Sequence, residues 1–149
     1  MGIYLNPKNK GFQEAINSEI YVDKTGLIAQ TNKYMNTEQK FICVSRPRRF
    51  GKSMALKMLA AYYSRGYDST DLFMGYKIEK EETFQEHLNK YDVIFLNIQQ
   101  FLIEASDDKV TKYLEQEVLC ELNEEYNEVL KGGEFGTCCC IKENLCKDG

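Results

Sequence analysis

Apolar residues follow two kinds of pattern along this chain, and each predicts a different element. Residues 41–44 (Phe-Ile-Cys-Val) form a continuous apolar run, which is typical of a strand buried on both faces. Apolar residues then recur at helical spacing and predict a helix over about residues 51–64. A second strand is predicted at residues 93–98. Two strands separated by helical segments predict an α/β fold, a parallel sheet flanked by helices.

Other parts of the chain carry helical patterns. We predict short helices at residues 12–16 and near 84–88, and one turn at 71–73. A helix that starts after Asp23 is predicted to extend to Tyr34. A longer helix, ended by Gly132 and Gly133, is indicated by an apolar stripe at every fourth residue: Val110, Leu114, Val118, Leu122 and Tyr126.

Residues 46–51, which we call the basic loop, connect the first predicted strand to its helix. Gly51, Lys52 and Ser53 match the second half of the phosphate-binding consensus G-x-x-x-x-G-K-[ST], while Arg46 stands where the first glycine is expected. A glycine lets backbone approach phosphate oxygens, a lysine neutralises them, and a serine hydroxyl suits Mg²⁺. Amides in a first helical turn lack intrahelical acceptors and favour anions. The pattern therefore predicts a site for ATP and Mg²⁺.

The predicted nucleotide site contains a continuous stretch of the chain and one upstream residue. Asp23 is open to two interpretations, as a neighbour of the adenine pocket or as a helix cap beside a packed Tyr21. Ser53 is the predicted Mg²⁺ ligand. The predicted nucleotide-binding residues are Arg46, Pro47, Arg48, Arg49, Phe50, Gly51, Lys52, Ser53, Met54 and Asp23.

Several ordered motifs resemble those of one family. Residues 45–53 (SRPRRFGKS) look like the modified Walker A motif of the predicted AAA-ATPase-like family of prokaryotic P-loop proteins, in which arginine at the first glycine position is usual. Residues 21–25 (YVDKT), 71–78 and 91–98 resemble further family segments. The resemblance implies ATP binding with Mg²⁺. It also implies a nucleic-acid connection, because members often carry a restriction-endonuclease-like PD-(D/E)XK domain further along.

One element of that family is missing from the sequence. No apolar run ends in the acidic Walker B pair, since residues 93–98 end at Asn97 and Gln99 and not at a carboxylate. We therefore expect an N-terminal fragment with an incomplete sheet, prone to self-association at its open edge. Residues 1–131 would form the N-terminal part of the ATPase-like domain and residues 132–149 a disordered cysteine-rich tail. No catalytic residue is predicted, so nucleotide binding is better supported than hydrolysis.

Composition narrows the alternatives. The net charge of −4 disfavours a general nucleic-acid binder. The cluster of arginines in the basic loop keeps open an alternative function, a non-enzymatic module that binds nucleic acid or a protein partner. No apolar run approaches the ~20 residues of a membrane span, and no secretion signal is evident, which predicts a cytoplasmic protein. Cys43 and Cys120 are predicted to be buried thiols and His87 to lie at the surface.

Overall fold

The computed structural model describes residues 2–45, 47–104 and 110–126, where the regular structure is helical. A 3₁₀ helix, Lys77–Lys80, lies between the fourth and fifth α-helices. In chain order the α-helices of these residues are α1 (Lys10–Ile16), α2 (Gly26–Asn32), α3 (Lys52–Tyr63), α4 (Thr70–Phe73), α5 (Phe84–His87), α6 (Ile98–Glu104) and α7 (Val110–Glu125).

The chain divides into two compact units, and the larger one, residues 6–93, is built around α3. Tyr62 of α3 is fully buried and meets the ring of Phe73 edge-on, with ring centroids 5.4 Å apart. Phe73 in turn stacks on Phe12 of α1 at 5.0 Å. The Tyr62 hydroxyl donates a hydrogen bond to the carbonyl oxygen of Phe84 at 2.8 Å. The buried face of α3 thus fixes the helix that follows the basic loop.

Of the described residues, the second unit comprises 2–5, 94–104 and 110–126. Among its described residues, the Tyr4 ring lies 5.2 Å from that of Phe101, and Phe101 lies 6.0 Å from Tyr113 of α7. The Glu121 carboxylate of α7 accepts hydrogen bonds from three consecutive amides near the N-terminus, at 2.6 to 2.8 Å. This carboxylate and the aromatic contacts attach the N-terminal segment to α7.

The prediction of a parallel α/β sheet is wrong for the described residues, which contain no strand. Residues 41–45 are exposed and irregular, and their backbone makes no hydrogen bond to another described residue. In the second predicted strand, Ile94 forms one isolated antiparallel bridge with Leu5, and Ile98 already begins α6. An apolar run becomes a strand only when neighbouring backbone pairs with it. Without such pairing, Phe41 stays 87% exposed.

The helix predictions fared better. Helix α3 matches its predicted range to within one residue at each end, and α1 and α7 lie where the patterns placed them.

His87, predicted at the surface, is buried against the Tyr91 hydroxyl, 2.6 Å from its Nδ1. Cys120 is buried as predicted, but Cys43 is exposed because its strand does not form. Gly132, Gly133 and the cysteine-rich tail lie outside the described residues.

No helix within the described ranges combines the length and the apolar character needed to cross a membrane.

Candidate functional site

The backbone of the basic loop has an unusual conformation just before α3. Arg49 has a φ of 67° and Gly51 a φ of 72°, both in the left-handed region. Gly51 adopts this conformation at little cost because it lacks a Cβ, whereas Arg49 pays roughly 1–2 kcal/mol. Residues 47–50 are exposed. The loop therefore turns sharply at the surface and enters the helix through Gly51, the N-cap residue.

Three amides at this turn form a set that we call the open amides: those of Gly51, Ser53 and Met54. Among the described residues, none of these N–H groups has a hydrogen-bond acceptor. The Ala55 amide is the first to bond back into the turn, at 3.0 Å from the Gly51 carbonyl oxygen. Unsatisfied amides at a helix N-terminus carry partial positive charge and bind anions.

Lys24 lies far from the basic loop in the sequence but contacts it in the structure. This residue was not among the predicted site residues. Its Nζ donates a hydrogen bond to the carbonyl oxygen of Phe50 at 3.0 Å. A Cβ added to Gly51 would displace this ammonium group, and the left-handed φ independently favours glycine at this position. The signal that could have found Lys24 is its place in the YVDKT segment, beside Asp23.

Asp23 is used internally in the described structure. Its Oδ1 accepts hydrogen bonds from the Thr25 amide at 2.8 Å and the Thr25 hydroxyl at 2.7 Å, and its Oδ2 accepts one from the Lys77 amide at 3.3 Å. Burial alone would raise the pKa of Asp23, but these hydrogen bonds and the Lys77 charge outweigh it and lower the pKa. Asp23 thus organises the turn before α2, and its assignment to the nucleotide site stays a prediction.

Tyr21 packs rather than facing solvent. Its ring lies edge-on to Phe12 at 6.2 Å and to Tyr76 at 5.4 Å. Burial, with Asp23 nearby, raises the pKa of Tyr21 to about 12. This packing agrees with the second of the two interpretations, in which Tyr21 supports the segment that carries Lys24.

Basic residues lie next to the open amides in the chain. Arg48 and Arg49 are exposed, and neither they nor Lys24 forms an ion pair with a described carboxylate. Lys52 and Ser53 open α3 and are also exposed. Arg46 lies outside the described residues. Within the described ranges, no group of three or more His, Cys, Asp or Glu side chains could hold a metal ion, and the assignment of Ser53 to Mg²⁺ stays a prediction.

Comparison with protein families gives a match over residues 10–142, most of the chain, to a family described as predicted AAA-ATPase. The chain belongs to this family. The match includes the basic loop, the open amides and the YVDKT segment with Lys24. Comparisons with curated proteins and with solved structures found no match.

The structure brings together part of the predicted site of this predicted AAA-ATPase. Pro47, Arg48 and Arg49 lie in the exposed turn, and Phe50 to Met54 follow at the start of α3. The strand that was predicted to lead into the loop does not form in the described residues. The contacts that the loop region makes are the packing of α3 on its C-terminal side and the hydrogen bond from Lys24.

Proposed function

We propose that this predicted AAA-ATPase binds a nucleoside triphosphate, ATP with Mg²⁺, at residues 46–54. The observation that carries the proposal is the set of open amides, which lies at the N-terminus of a twelve-residue helix preceded by the exposed Arg48 and Arg49. An anion placed there satisfies donors that the described protein leaves without acceptors.

The residues of the loop and of the start of α3 contribute to nucleotide binding in different ways. Lys52 neutralises the β- and γ-phosphates, and Ser53 supplies an oxygen ligand to Mg²⁺, which keeps its other ligands from phosphates and water. Arg48 and Arg49 add positive charge at the exposed turn, where guanidinium groups suit phosphate oxygens. Gly51 allows the backbone to approach the phosphates closely. The proposal is one of binding and assigns no residue to hydrolysis.

Calorimetric titration with Mg-ATP tests the proposal. We expect Lys52→Ala to weaken binding at least about tenfold, because a hydrogen bond to a charged group contributes roughly 1.5–3 kcal/mol. Lys33→Ala removes one positive charge from an exposed position of the same unit and serves as the matched control. Equal affinities for wild type and Lys52→Ala, with both variants folded, would refute the proposal.

A second candidate function is supported by the exposure of the preceding segment. Phe41 and Phe50 are 87% and 64% exposed, and Arg48 and Arg49 are exposed close to Phe50 in the chain. Exposed aromatic and basic side chains can stack on and neutralise single-stranded nucleic acid. A gel-shift series with single-stranded DNA at increasing salt tests this candidate, and the absence of a shift at low salt rules it out.

A further inference from the structure

The hydrogen bond from Lys24 to the basic loop also bears on the orientation of the peptide between Phe50 and Gly51. The Phe50 carbonyl group and the Gly51 N–H group belong to one planar trans peptide. In such a peptide the C=O and N–H bonds point in opposite directions. Because Lys24 Nζ holds the carbonyl oxygen at 3.0 Å, the Gly51 N–H points away from the ammonium group.

This peptide would otherwise be free to rotate. Its rotation changes ψ of Phe50 and φ of Gly51, and glycine adopts positive and negative φ about equally well. A rotated peptide would present a carbonyl oxygen where an anion needs a donor. The Lys24 contact selects the donor orientation, and the lack of a Cβ at Gly51 leaves room for the ammonium group.

Lys24 is itself held firmly at its backbone. On one side, Asp23 binds the Thr25 amide and hydroxyl. On the other, the Lys24 carbonyl oxygen accepts a hydrogen bond from Leu27 at 2.9 Å, in the first turn of α2. Thr25 is completely buried, and its hydroxyl oxygen accepts a hydrogen bond from the Ile78 amide at 3.3 Å. These hydrogen bonds hold the backbone from which the Lys24 side chain extends to the loop.

We infer that Lys24 is a positioning residue of the proposed nucleotide site, which locks the peptide between Phe50 and Gly51 so that the Gly51 amide faces the phosphates. The inference rests on the proposed function and adds a second lysine to it, one that acts through the backbone. It predicts that a side chain able to donate to the carbonyl oxygen can replace Lys24, and that an apolar side chain of similar length cannot.

Two measurements on the full chain test the inference. In titrations with Mg-ATP, we expect Lys24→Met to weaken binding about tenfold, the value of one charged hydrogen bond, and Lys24→Arg to stay within about threefold of wild type. Lys33→Met is the matched control and should bind like wild type. In the ligand-free protein, the amide resonance of Gly51 should shift in Lys24→Met and stay near its wild-type position in Lys24→Arg.

The possible outcomes separate the two proposals. If Lys52→Ala loses affinity while Lys24→Met binds like wild type, the inference is overturned and the proposed function stands. A Gly51 resonance that does not move in Lys24→Met also overturns the inference, whatever the affinity. If wild type does not bind Mg-ATP at all, the proposed function fails and the inference fails with it. If Lys24→Met and Lys24→Arg lose the same affinity for Mg-ATP, the inference is also overturned, because a side chain that can donate the hydrogen bond then has no advantage.

Discussion

Two stretches of this chain present neighbouring backbone amides, and they differ in what those amides bind. In the unit of residues 2–5, 94–104 and 110–126, the amides of Ile3, Tyr4 and Leu5 all donate to the Glu121 carboxylate; we call them the closed amides. In the unit of residues 6–93, the open amides at the start of α3 have no acceptor among the described residues. One set is satisfied by the protein's own acid and the other is not.

The difference teaches how to separate a structural anion site from a candidate ligand site. Backbone donors that meet an internal carboxylate contribute to stability, since a charged hydrogen bond contributes roughly 1.5–3 kcal/mol. Donors left open beside basic residues favour an external anion. Substitution of Glu121, the acceptor of the closed amides, should therefore change the free energy of unfolding. Substitutions next to the open amides should change the affinity for Mg-ATP.

The largest effect is expected from Gly51→Ala. The new Cβ would meet the Lys24 ammonium group and would also require a left-handed φ of 72°. We expect Mg-ATP affinity, measured by calorimetry, to fall by more than about tenfold, because the strained φ and the displaced Lys24 ammonium group both disturb the peptide that carries the Gly51 amide. Gly75→Ala is the matched control, since Gly75 has a φ of 82° but open space around it. If both variants bind like wild type, the open amides are not the site.

A smaller effect, on stability, is expected from Glu121→Gln. The neutral amide keeps the shape but loses the charge that three donors share, which should cost roughly 1–2 kcal/mol in urea unfolding. Mg-ATP affinity should not change, because the proposed site contains none of these residues. Glu117→Gln on the same helix, at a half-buried position, is the control and should unfold like wild type. An unchanged midpoint for Glu121→Gln would remove the distinction between the two sets.

The smallest effect is expected from Asp23→Asn, as a dependence on pH. The pKa of Asp23 is lowered from its ordinary value of 3.8 in the folded protein, so its ionised form stabilises the fold. That contribution is fully present above about pH 5 and is lost as the pH falls through the lowered pKa. Solvent screening keeps it below about 1 kcal/mol. Urea unfolding from pH 7 to pH 2 should show the gap between wild type and Asp23→Asn closing in acid. A gap that is constant with pH would contradict this.

The local chemistry was readable from the sequence. Gly51, Lys52 and Ser53 identified the candidate loop, and the apolar spacing of α3 and α7 gave both helices, because helical hydrogen bonds are local and the pattern of burial repeats every turn. The family was also readable, since its motifs occur in order along the chain.

Tertiary structure alone decided the rest. Residues 41–44 carry the pattern of a buried strand but stay exposed, because a strand depends on backbone partners from distant segments and a local pattern cannot supply them. Lys24 joins the loop from 26 residues away, and Glu121 reaches the closed amides from more than 100 residues away. Neither contact has a periodic signal, since both depend on where packed helices bring a single charged side chain.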